Sequence, residues 1–144
     1  MENKQPGTKP VENFINKSQI KRLKDSGVSL VYLFGSYAEG KSLPLSDVDI
    51  GFVFTDTIKL KENIGEIYNA LYDIATDVFP GKDVDIVFLQ RASLELRFDV
   101  ISHGKLLYES TGEERLNFEE KTALFYADFK PILNEINQVI LNRV

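Results

Sequence analysis

The 144-residue sequence contains no cysteine and a single histidine. Disulfides, zinc–thiolate sites and thiol nucleophiles are excluded, and a metal site in this chain has to be built from oxygen ligands. No apolar run approaches the ~18 residues a membrane span requires. The polar amino terminus, beginning Met1-Glu2-Asn3-Lys4, lacks the apolar stretch of a secretory leader, so a cytoplasmic, membrane-free protein is expected. A basic stripe is also missing. The net charge is −5, and the main basic cluster, Lys17, Lys21, Arg22 and Lys24, is short. Proteins that live on long nucleic acid draw most of their affinity from neutralising phosphates, so DNA or RNA is not expected as the main partner. Internal repeats and low-complexity tracts are absent as well. What remains is 43% apolar and 27% charged residues, enough for one globular domain with a proper core.

Residues 1–10 read as a flexible leader. From Val11 the pattern turns helical, with Phe14, Ile15, Ile20 and Leu23 as an apolar stripe and Gly27 placed to stop it. Residues 28–34 form a short, β-rich run expected to be a buried strand. Residues 47–54 and 83–89 read as two more strands, and residues 105–109 as a short fourth. Between the second and third strands Leu60, Ile64, Ile67, Leu71, Ile74 and Val78 recur at alternating spacings of four and three, the mark of one helical face. Ala92 to Ser102 reads as helix, closed near Gly104. Residues 113–142 read as a long helical region that Pro131 is expected to kink or divide. Strands alternating with helices define an α/β (α+β) class: a small mixed β-sheet with helices packed on it, plus a carboxyl-terminal helical region. The expected organisation is a leader over residues 1–10, a catalytic domain over 11–110, and a helical region over 111–144 that packs on the same domain or on a partner.

The chemistry lies at the strand ends. Gly35 follows the first strand, where a glycine permits a sharp turn and the close approach of a phosphate. Ser36 adds a hydroxyl and a backbone N–H at the start of a helical turn. Ten residues later come Asp47 and Asp49, two apart on a strand and therefore on one face. Like charges so close repel unless a cation lies between them or one takes a proton. Asp85 repeats the pattern on the next strand; beside the second strand it becomes a third ligand. Oxygen-only ligands favour Mg²⁺ or Mn²⁺, and three carboxylates can hold two such ions ~3.5–4 Å apart for an in-line displacement at phosphorus. A Gly-Ser pair alone is an ordinary strand-ending turn, and aspartates are disfavoured within strands; it is the combination that points to chemistry.

Gly35-Ser36, ten residues, Asp47-x-Asp49 and a later strand aspartate, Asp85, together resemble the DNA polymerase β-type nucleotidyltransferases, and in particular the minimal nucleotidyltransferases. Gly35, Ser36, Ala38, Gly40, Ser46, Asp47 and Asp49 match the string usual in that group, whose two arginines are Tyr37 and Glu39 here. Residues 97–108 are similar to the end of these domains, so the resemblance spans roughly residues 15–110. It implies a polymerase β palm-like fold, with Asp47, Asp49 and Asp85 as metal ligands and catalytic residues, Gly35, Ser36 and Ser46 as the nucleotide grip, and ATP as substrate with Mg²⁺ or Mn²⁺. It further implies an antitoxin of a type VII toxin–antitoxin system, which moves AMP from ATP onto a tyrosine of a HEPN-type toxin. Two other outcomes fit the same residues: a small-molecule enzyme like the aminoglycoside nucleotidyltransferases, or a non-catalytic module that neutralises a toxin by binding. His103 is expected to cap a helix end beside Gly104. The aromatics Phe118, Phe125, Tyr126 and Phe129 serve either the core or a partner helix.

Overall fold

The computed structural model describes residues 14–40 and 47–143; the leader and Ser46 lie outside the described residues. Helix α1 (Lys17–Asp25) opens on a reciprocal cap: Asn16 Oδ1 accepts from the Gln19 N–H, and Gln19 Oε1 accepts from the Asn16 N–H. These two bonds satisfy donors that a helix start otherwise leaves bare. Gly27, at φ +79°, ends the helix and turns the chain into β1 (Val28–Phe34). A four-residue turn, α2 (Gly35–Ala38), comes directly after it. Then come β2 (Val48–Phe54), α3 (Thr57–Glu62), α4 (Ile64–Val78), β3 (Val84–Phe88), a short 3₁₀ turn, α5 (Leu94–His103), β4 (Lys105–Glu109) and α6 (Gly112–Leu141).

The strands form one mixed sheet in the order β3-β2-β1-β4, with β1 antiparallel to β2 and β4 and β2 parallel to β3. Every residue of β1 is buried, because both faces of the sheet are covered. That is why its sequence does not alternate but is apolar apart from Ser29, whose buried hydroxyl donates to the Val53 carbonyl. On one face Val31 and Leu33, with Val48, Ile50 and Phe52 of β2, pack under α1, α3 and α4. On the other, Leu30, Tyr32, Phe34 and Val53 pack under α5 and the first half of α6.

Three elements depart from expectation. Helix α1 begins only at Lys17, because Asn16 caps it, so Phe14 and Ile15 stand in the turn before it and not on its stripe. The apolar stripe from Leu60 to Val78 is carried by two helices, since the chain breaks at Asn63, where Asn favours a cap over a helix interior and Gly65 weakens the adjoining turn. Leu60, Ile67, Leu71 and Ile74 still face the same core. Helix α6, by contrast, runs through Pro131 without being divided. The turn around Pro131 is exposed, so water can take up the carbonyl whose partner the proline removes.

Candidate active site

The pairing of β2 with β3 sets Asp49 opposite Asp85. The parallel register is held at its mouth by the Val48 N–H, which donates to the Asp83 carbonyl at 2.8 Å. Alternation along β2 sends Val48 and Ile50 into one core and leaves Asp49, Gly51 and Val53 on the α5/α6 face. Asp49 is half-buried, whereas Asp47, just before the strand, and Asp85 are exposed. Burial, and then the negative charges of Asp85 and Asp47, push the Asp49 carboxyl above the usual aspartate range. A cation would relieve that repulsion.

Gly35 completes the corner. Phe34 is the cross-strand neighbour of Asp49, and the chain leaves β1 through Gly35 at φ +76°. A Cβ built on Gly35 would overlap Asp49 Oδ2. The glycine is therefore required twice, by its backbone conformation and by the carboxylate packed where a side chain would be. Ser36 is exposed beside it, in the first turn of α2.

Among the described residues no three acidic or histidine side chains are grouped to hold an ion unaided. The donor chemistry nevertheless suits magnesium, which commonly takes one or two carboxylates and fills its remaining positions with water and substrate phosphate oxygens. The residues that would hold it are Asp49 and Asp85, with Asp47 two positions earlier on the same strand line. His103 stands apart from this set: it ends α5, and its Nδ1 lies 3.1 Å from the Asp99 carboxylate one turn back.

Two cations near this corner were not singled out in the sequence. Lys82 lies over the ring of Tyr37, 5.9 Å from its centroid, and Tyr37 packs edge-on against Phe79. Tyr37 thus brings a lysine beside the Gly-Ser turn. Lys105 is the register partner of Leu33, which places it at the same end of the sheet as Gly35 and Asp49. Neither carries a sequence signal, because each is recruited by packing or register between distant segments.

A central mixed sheet with paired acidic residues on adjacent strands, set against a Gly-Ser turn, defines a nucleotidyltransferase-type site. The chain belongs to the polymerase β nucleotidyltransferase family, whose pattern matches residues 17–113. It is similar to the protein adenylyltransferase MntA of Shewanella oneidensis, with 35% identity over 111 residues that cover 74% of this chain and 73% of that protein. Among solved structures it resembles a chain of a toxin–antitoxin complex with AMP-PNP, at 32% identity and a TM-score of 0.58, covering 85% of this chain and 98% of that one. A chain of a mutant MntA–HpeT toxin–antitoxin complex is similar to the same extent, with 32% identity, a TM-score of 0.57 and the same coverage. Among the described residues no helix is long and apolar enough to cross a membrane.

Proposed function

We propose that this chain is a protein adenylyltransferase that moves AMP from ATP, with Mg²⁺ or Mn²⁺, onto a tyrosine hydroxyl of a HEPN-type toxin and so serves as the antitoxin. The observation that carries the reading is the register pairing of Asp49 with Asp85 against a glycine that has no room for a side chain. The name of the 35%-identical relative supplies the class of acceptor, a protein, and the complexes that the fold resembles supply the toxin. The HEPN type and the tyrosine come from the resemblance of the motif.

Gly35 lets the triphosphate approach the backbone, and the Ser36 hydroxyl and N–H donate to its oxygens. Asp49 and Asp85, with Asp47, would hold the divalent ion, which would neutralise charge on the phosphates. The acceptor oxygen attacks the α-phosphorus as the bond from that phosphorus to the bridging oxygen breaks. The hydroxyl proton passes to Asp85, whose carboxylate is exposed to an incoming acceptor, and pyrophosphate leaves with the bond electrons. Positioning and charge complementarity supply the rate; no covalent intermediate on the protein is needed. The test is incubation of the purified chain with ATP, Mg²⁺ and a HEPN-type toxin, then intact-mass and peptide mass spectrometry. The expected product is toxin heavier by one AMP on a tyrosine, lost with Asp49→Asn. An unmodified toxin together with an adenylylated aminoglycoside would overturn the protein-acceptor reading.

A further inference from the structure

Helix α6 carries Phe118, Thr122, Phe125, Phe129, Ile132, Ile136 and Val139 at strictly alternating spacings of four and three. A 3.5-residue repeat of this kind makes a continuous seam along one side of a helix. The protein covers only its beginning. Phe118 packs under the sheet and Thr122 is 2% exposed. From Phe125 onward each seam residue is about half exposed: 52% for Phe125, 50% for Phe129, 48% for Ile132, 50% for Ile136 and 53% for Val139. Ile140 extends the apolar surface. The uncovered stretch runs for about 25 Å of helix at the usual rise. At its root lies a cavity of ≈ 500 Å³ between α5 and α6, lined by Leu94, Arg97, Phe125, Phe129 and Leu133. Arg97 supplies the cation of this lining.

We propose that this seam, with the groove at its root, is the surface on which the toxin partner docks through an apolar helical face, with a carboxylate or main-chain carbonyl meeting Arg97. The proposal rests on the adenylyltransferase reading for the partner's identity. The groove and the seam lie on the α5/α6 face of the sheet, the face that also carries Asp49. Charge selects this occupant over a second copy. Each copy of the chain carries −5, and Asp128 and Glu135, both exposed, flank the seam on one side. Two copies crossing antiparallel would set these carboxylates against each other, whereas the complexes that the fold resembles pair a related chain with a toxin. The pattern is that of a helix laid along a hydrophobic groove.

The experiment uses the full chain and the HEPN-type toxin that it modifies, with titration calorimetry for binding and mass spectrometry for AMP transfer. The variant Ile132→Asp/Ile136→Asp alters two half-exposed residues; Ile136→Ser is a milder second probe, and circular dichroism checks the fold of both. Expected are a toxin Kd raised tenfold or more for the double variant and a smaller rise for Ile136→Ser. The KM for toxin should rise in parallel, while kcat at saturating toxin is retained. Asp49→Asn should bind toxin like the wild type and transfer nothing. Wild-type toxin affinity in a folded double variant would overturn the docking surface and leave the adenylyltransferase reading standing. Toxin binding that depends on Ile132 and Ile136 but leads to no AMP transfer would do the reverse. A wild-type dimer in sedimentation, dissociated by the double variant with toxin affinity unchanged, would assign the seam to a second copy and overturn the proposal.

Discussion

At Gly35 two constraints coincide on one residue. Its φ of +76° costs an ordinary residue about 1–2 kcal/mol, and the missing side chain leaves room for the Asp49 carboxylate. Gly35→Ala is therefore expected to lower the melting temperature by the strain and to reduce AMP transfer by more than the strain explains, about a hundredfold or more, because the carboxylate is displaced; parallel melting and rate measurements separate the two. Asp49 behaves in the opposite sense. Burial and its acidic neighbours raise its pKa in the fold, so its contribution to stability is full below the unfolded value and is lost as pH rises through the folded one. In metal-free protein Asp49→Asn is expected to match the wild type below about pH 4. It should become more stable than the wild type toward neutrality, by at most about 1 kcal/mol because solvent screens a half-exposed carboxylate. Thermal melts across pH with a chelator present check this; a loss of several kcal/mol at neutral pH would mark Asp49 as a structural residue.

Among the elements, α6 combines two roles along its length. Its first half is anchored from beneath by Tyr32, fully buried, whose hydroxyl donates to Glu119 Oε2 at 2.8 Å. Beside it Arg115 Nε stands 3.3 Å from Glu109 Oε2 without hydrogen-bond alignment, so that pair attracts by charge alone. Burial, and next the Glu119 charge, push the Tyr32 hydroxyl far up, which keeps it a donor throughout the accessible pH range. Tyr32→Phe should destabilise the domain by about 1.5–3 kcal/mol in chemical denaturation, the cost of one hydrogen bond to a charged group. The second half has no such anchor. Pro131→Ala restores a backbone donor there and should raise helicity by circular dichroism. The global unfolding midpoint should move little, since the gain lies in a segment that does not pack on the core. A large midpoint shift would show the tail to be coupled to the domain.

At the scale of the whole molecule, the fold brings a negative corner to the edge of an already acidic protein. Anything that binds that corner in the folded state alone stabilises by mass action. Mg²⁺ or Mn²⁺ together with a non-hydrolysable ATP analogue is therefore expected to raise the melting temperature more than either alone. At a hundredfold excess over Kd the gain is about 2.7 kcal/mol. Asp49→Asn and Asp85→Asn should each abolish the joint effect, and an unchanged wild-type melting curve would refute the metal-assisted nucleotide site.

Local chemistry determined much of this protein on its own. The limits of β1 and β4 come from runs of strand formers bounded by glycine at positions 27, 35 and 104, and the Gly35-Ser36 to Asp47-x-Asp49 spacing displays the family's motif without any fold. These are short-range properties, written in propensity and in periods of a few residues. Tertiary structure decided the rest. That Asp85 meets Asp49 depends on β2 and β3 pairing in parallel across the intervening α3 and α4, and a shift of one residue would have turned one of them to the opposite face. Lys82 reaches Tyr37 through packing alone. The seam of α6 reads identically in its covered and uncovered halves, because a helix repeats its own geometry whatever lies against it, and only the place where α5 and the sheet end determines which half is left bare.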